Sequence, residues 1–306
     1  MGAKNVLIDT DCGVDDAIAI MIALASPAEV TVRGITTVSG NVPLPHVVDN
    51  VLRLLSFLGR TEIPVFRGAS RPLVEPLHHA SDVHGKNGLG DVELPAPRMA
   101  EQLQRAPAGI ARLAHEYPGL TLLTLGPLTN IAIALNLHPE LTELISEIVV
   151  MGGAVETGNV TRFAEFNFHA DPESVQSVLD AGIPMSLLTW DTTLKVAHTE
   201  AELEALGLKK SASGRLVLEM QQVLFGFVEK WRGERVTMLP DPLTAAWVVD
   251  PRIGRRLSST GMRMELGQNV MRGASITQRG DRVKLILDID KSGFDRILTR
   301  VIGLAQ

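Results

Sequence analysis

Short, largely apolar runs separated by segments with helical spacing are the feature that most restricts what this chain can fold into. The runs are Val6 to Ile8, Val30 to Val38, Leu120 to Leu125, Ile148 to Met151 and Met185 to Leu188. A strand with one wet face alternates apolar and polar residues, whereas runs apolar on both faces suit strands covered from both sides. The intervening segments have helix-compatible apolar faces and few breakers: DDAIAIMIALA at Asp15 to Ala25, PHVVDNVLRLLSFL at Pro45 to Leu58, LTNIAIALNL at Leu128 to Leu137. Strand-then-helix order predicts a doubly wound α/β fold, a mostly parallel central sheet flanked by helices. Ligands of such sheets sit beyond the carboxyl ends of the strands, so the polar residues that follow each apolar run deserve the closest reading.

With 306 residues, 45% of them hydrophobic, the chain can bury a substantial core without cross-links. We expect one domain over 1–306, with no repeat or linker-like tract dividing it. Arg71 to Pro97, with three histidines and several Gly and Pro, reads as an irregular excursion near the binding face, and about 199–233 as a helical insertion. VKLILDID and FDRILTRVIGLA read as a last strand and a closing helix. A formal net charge of -6 with scattered Lys and Arg argues against a nucleic-acid groove. Cys12 is the single cysteine, which excludes an intrachain disulfide and fits a reducing, cytoplasmic setting. MGAKNVLIDTD lacks the features of a secretory signal, and no apolar stretch reaches the roughly 18 residues of a membrane span.

The segment VLIDTDCGVDDAIAI packs Asp9, Asp11, Asp15 and Asp16 into eight residues at the end of the first strand. Carboxylates this close repel one another unless shared protons or a cation neutralise them. Asp9 and Asp11 alternate onto one side of the strand end, and Gly13 permits a turn that folds Asp15 and Asp16 back. Oxygen-only ligands favour calcium or magnesium over zinc. Helix capping accounts for one or two of these acids but not for four. Cys12, set among them, has a thiol pKa pushed up and makes a poor nucleophile.

DTDCGVDDAIAI closely resembles the N-terminal motif of nucleoside hydrolases, which cleave ribonucleosides to ribose and free base. The resemblance continues in order along the chain: TTVSGN at Thr36 to Asn41, VHGKNGLG at Val83 to Gly90, TLGPLTNIA at Thr124 to Ala132, MGGAVETGNVTRFAEFN at Met151 to Asn167, and PDPLTAAW at Pro240 to Trp247. It implies calcium held by the side chains of Asp11, Asp16 and Asp241 and the backbone carbonyl of Leu125. It further implies Asp11 as general base, Asp15 as partner of a ribose hydroxyl, and Asn41, Asn159, Glu165 and Asn167 around the sugar, with Met151 at the pocket wall. The ligand would be a small ribonucleoside, and the assembly a homodimer or homotetramer.

The chemistry of N-glycosidic hydrolysis asks for these residue types: an activated water, stabilisation of a ribosyl cation, and help for the departing base. Amides suit a sugar because they both donate and accept. Taken singly, Asn41 and Asn159 after glycines are also ordinary turn residues, and Asp241 before Pro242 an ordinary helix cap. Glu165 and Asn167 alternate opposite Phe166 and Phe168, which would set both on one side. His84, flanked by glycines, is a candidate to reach the base or a hydroxyl. Asp171 reads as a helix cap. Many members carry histidine where this chain has Pro240, which cannot donate a proton, so help for the base must come from His84, the Phe225 to Trp231 stretch or water, or the substrate must carry a better leaving group; Phe225, Phe227 and Trp231 could stack on a base. Two rivals remain. VLIDTDCG also looks like the start of haloacid-dehalogenase-type phosphatases, with Asp9 as nucleophile, Asp11 as general acid and magnesium as metal. A ribose or nucleoside binder without catalysis is the other.

Overall fold

The computed structural model describes residues 2–304; the final alanine of the expected closing helix, Ala305, lies outside them. Ten strands are β1 (Lys4–Thr10), β2 (Val30–Thr37), β3 (Val65–Arg67), β4 (Leu120–Thr124), β5 (Ile145–Met151), β6 (Met185–Leu188), β7 (Ala197–Thr199), β8 (Val236–Met238), β9 (Gly254–Met264) and β10 (Ser275–Ile289). Eight form one sheet in the order β3-β2-β1-β4-β5-β6-β10-β9, parallel except for the β9–β10 pair; β7 and β8 pair separately. This is the expected doubly wound α/β fold. Strand order reverses between β1 and β4, which opens a crevice beyond their carboxyl ends.

Double-sided burial is visible residue by residue. Val6 and Ile8 of β1 enter one apolar cluster and Leu7 the other; Leu123 of β4 and Val149 of β5 join the first, while Leu122, Ile148 and Val150 join the second. Period-two geometry thus feeds both faces of the sheet from a single run. Helix Val14–Leu24 is buried along its whole length, which is why its sequence is apolar all round rather than striped. Helices Leu44–Phe57 and Thr129–Leu137 match the two other segments read as helices to within a residue at each end.

Three features differ from expectation. β10 starts eight residues before VKLILDID and forms an antiparallel hairpin with β9. β9 was not expected because most of it faces solvent and carries Arg255, Arg256 and Arg263 rather than an apolar pattern. A charged edge of this kind also discourages pairing with other chains. Glu165 and Asn167 do not alternate along an extended segment: Glu165 caps helix Phe166–Ala170, and Asn167 lies in its first turn. Between 199 and 233 the chain forms helix Glu200–Ala205, capped by Thr199, and helix Ala212–Arg232, which runs from a Ser211 cap to left-handed Gly233. No helix among the described residues is long and apolar enough to cross a membrane.

Candidate active site

Beyond the carboxyl ends of β1, β4 and β5 lies a cavity of about 300 Å³. Its floor is acidic. Asp15, Asp16 and Asp241 each offer an oxygen within 4.8 Å of the others. Local chain geometry explains the convergence: Asp15 and Asp16 open the helix that follows β1, and Asp241 sits in the first turn of helix Pro240–Val249, which packs against it. Both helices aim their positive ends at the acids.

Asp11 joins this group from behind, in electrostatic contact with Asp16 and Asp241. Its Oδ2 accepts from the Asn41 backbone N–H at 2.7 Å, and its Oδ1 is buried without a partner. Two glycines make room for it: a Cβ at Gly40 would stand 2.1 Å from Asp11 Oδ2, and one at Gly126 would stand 2.8 Å from Oδ1. Asp16 accepts from Thr10 Oγ1 at 2.5 Å, the Gly13 N–H at 2.8 Å and Asn41 Nδ2 at 3.2 Å. Burial, then the charges of neighbouring acids, pushes Asp11 and Asp241 well above the ordinary carboxylate range; burial raises Asp15 to about 6 and also raises Asp16. Four buried acids under such strain, two of them with an unpartnered oxygen at Asp11 and Asp15, fit a divalent cation, whose positive charge would offset the burial and mutual repulsion that raise them. Burial, followed by the charge of Asp16, also raises the Cys12 thiol.

Asp9 stands apart. Its Oδ1 accepts from Thr36 Oγ1 and, at 2.7 Å, from Asn130 Nδ2, which also donates to the Thr37 carbonyl. It therefore braces the end of β1 against β2 and the helix that follows β4. The carbonyl of Leu125 faces the site and accepts from Asn167 Nδ2 at 2.8 Å.

Asp15, Asn41, His84, Leu125, Met151, Asn159, Glu165, Asn167, Trp231 and Asp241 all line the cavity. Glu165 accepts backbone N–H groups from Gly153, Asn167 and Phe168; burial outweighs these bonds and lifts it to about 7. His84 ends the short helix Ser81–His84 in the otherwise irregular 71–97 region. It is buried rather than an exposed loop residue, accepts from the Val14 N–H at 3.2 Å through Nδ1, and lies 3.7 Å from Asp15. Burial lowers it to about 4, so the ring is neutral at pH 7 with its proton on Nε2.

One expected contact is corrected. Phe225 is fully buried in the core and does not reach the cavity. At 100° per residue, Leu224, Phe227, Val228 and Trp231 share one face of helix Ala212–Arg232 and form the cavity wall, while Phe225 lies about 110° round the helix from the centre of that face and turns into the core. Trp231 pairs with Trp190 across 6.3 Å. Phe227, one of the expected stacking candidates, is at the wall; Trp190 and Met238 were not expected there, although TWD directly after β6 is a sequence signal for Trp190. Pro240 is at the wall too. Asp171 is the expected cap, accepting from the Ser174 N–H.

The family profile for inosine-uridine preferring nucleoside hydrolases matches residues 6–296. The pyrimidine-specific ribonucleoside hydrolase RihA of Citrobacter koseri is 38% identical over 304 residues, 97% of each chain. RihA of Salmonella typhi is 37% identical over the same share. Among solved structures, the purine-preferring ribonucleoside hydrolase of Gardnerella vaginalis superposes with a TM-score of 0.92 at 30% identity, covering 98% of this chain and 99% of its own. Sequence, fold and acid-floored cavity thus agree: the chain belongs to the inosine-uridine preferring nucleoside hydrolase family and is an N-ribosyl hydrolase.

Proposed function

We propose that this chain hydrolyses the N-glycosidic bond of ribonucleosides with calcium as cofactor, releasing ribose and free base. The observation that carries the reading is the convergence of Asp15, Asp16 and Asp241 beneath a cavity whose opposite wall is apolar. Asp11, Asp16 and Asp241, with the Leu125 carbonyl, would hold the ion, and Asp15 would span from it to a ribose hydroxyl. A set of several carboxylates plus a carbonyl suits calcium, which takes six to eight oxygens at flexible geometry, better than magnesium, which retains its water. Bound there, the ion supplies sugar orientation and a lowered pKa for the attacking water.

The chain's own residues do the rest. Asp11, with one oxygen free of hydrogen bonds, takes the proton of the attacking water. Asn41, Asn159 and Asn167 offer donors and acceptors to the sugar, and Glu165 places negative charge near the developing ribosyl cation. The His84 Nε2 proton and the aromatic wall are the groups nearest to hand for the base, since Pro240 carries no donor. The single cysteine supports a cytoplasmic location, and family resemblance a homodimer or homotetramer. Neither rival is favoured: Asp9 is held in structural bonds, and the relatives that match this chain along nearly its whole length are ribonucleoside hydrolases.

The test is release of reducing sugar and free base from a panel of pyrimidine and purine ribonucleosides, before and after exhaustive chelation. Activity should vanish with the metal and return with calcium. Turnover that survives complete metal removal would overturn the reading.

A further inference from the structure

Asp191 plays no part in the machinery described so far, yet its carboxylate is a heavily used polar anchor beside the cavity. It accepts three consecutive backbone N–H groups, those of Val155 at 2.6 Å, Glu156 at 3.0 Å and Thr157 at 2.8 Å. It sits in the short helix Trp190–Thr193 at the end of β6 and is itself 8% exposed. The adjoining Trp190 N–H bonds to the Gly153 carbonyl at 3.0 Å. The corner after β6 therefore grips the segment that leaves β5.

That segment leads straight to the substrate side. Two residues past Thr157 comes Asn159, whose Oδ1 accepts from the Phe166 N–H at 2.9 Å, and both Asn159 and Val160 line the cavity. The 158–164 turn is closed by backbone bonds from Gly158 to Arg162 and from Asn159 and Val160 to Ala164, so it moves as one piece. Val155 and Val160 are exposed, so little apolar packing holds this arm in place. Three N–H donors converging on one carboxylate fix a backbone direction as an anion nest does.

We infer that Asp191 is a positioning residue for the hydrolytic reaction: by clamping Val155 to Thr157 it sets Asn159 and Val160 at the working distance from the sugar. The inference rests on the reading that the cavity takes ribose against Asn159. Displacement of a binding group by about 1 Å costs roughly 100-fold in rate. Asp191→Asn keeps the shape but turns one acceptor into a donor facing N–H groups.

The experiment is a cycle of Asp191→Asn, Asn159→Ala and the double variant, with kcat and KM measured on uridine and inosine and active enzyme counted by calcium-binding stoichiometry. Expected is a fall in kcat/KM of about 10- to 100-fold for Asp191→Asn, carried mainly by KM, with calcium stoichiometry unchanged. The double variant should be no worse than Asn159→Ala, because Asp191 acts through the arm that carries Asn159. Multiplying losses, an unchanged kcat/KM, or a loss explained by fewer calcium-binding molecules would each overturn the inference. Amide exchange in the unaltered enzyme gives an independent readout should the variants not fold: the Val155, Glu156 and Thr157 amides must be protected, and rapid exchange at all three would sink the clamp. A wild type without nucleosidase activity would instead sink the proposed function, while the exchange result would still report on the clamp.

Discussion

The floor and the wall of the cavity are built on opposite principles. The floor is assembled beyond the ends of β1 and β4 from carboxylates that are fully or nearly fully buried, with Asp16 held by Thr10, Gly13 and Asn41 and Asp11 by the Asn41 backbone N–H. The wall hangs on helix Ala212–Arg232, outside the sheet, and touches the cavity through Leu224, Phe227, Val228 and a half-exposed Trp231. Hydrogen bonds and charge fix positions to fractions of an ångström, whereas an apolar face only needs the right volume. On the proposed function, the floor carries the chemistry and the wall is the part free to change which base is accepted.

The sharpest way to break this contrast is Asp11→Ala. Loss of the proposed base and proposed metal ligand should lower kcat by at least about 10³-fold on every ribonucleoside, read by base release. A loss confined to some bases would place Asp11 in specificity and erase the distinction.

Next comes the core-facing flank of the wall helix. Phe225→Ala opens a cavity in the core and should cost about 3–5 kcal/mol in urea or thermal unfolding. The KM of the folded fraction should remain near wild type. A KM that moves with little destabilisation would restore Phe225 to the binding surface.

Trp231→Ala, on the cavity face, should do the opposite. It should raise KM by about 10-fold, unequally for pyrimidine and purine nucleosides, with the unfolding midpoint nearly unchanged. Equal effects on all bases would mean the wall does not read the base.

The smallest effect concerns the pH dependence of stability in metal-free protein. Glu165 has its pKa raised from 4.5 to about 7 by burial, so its protonated form is the one the fold prefers. Its contribution is fully present below pH 4.5 and is lost as pH rises through 7. Relative to Glu165→Gln, the wild type should lose stability across that window in denaturant titrations; parallel curves would show that the three backbone N–H bonds, not burial, govern the group.

Legibility followed burial. β1, β2, β4, β5 and β6 announce themselves as apolar runs because both faces of each are covered, and the acids after β1 stand out because charge is costly there. β9 gave no such signal, since an exposed edge strand obeys no apolar pattern. Phe225 and Trp231 look alike in sequence, and only the helical phase against the cavity separates them. Asp191 follows the same strand-end rule that exposed Asp11, but as a single acid it lacked the crowding that draws notice.

What the sequence alone determined is the set of local necessities: strands covered on both sides, helices that begin at acids, and a cluster of like charges that demands neutralisation. Those follow from near neighbours along the chain, where spacing dictates direction. Only the tertiary structure decided that Asp241, far from Asp15 and Asp16 in the chain, meets them within 4.8 Å, that Asp9 turns instead to Asn130, and that the corner after β6 grips the arm after β5. Such meetings depend on which strands lie side by side and which helix ends share a crevice, and that choice is made by packing of the whole sheet rather than by any one segment.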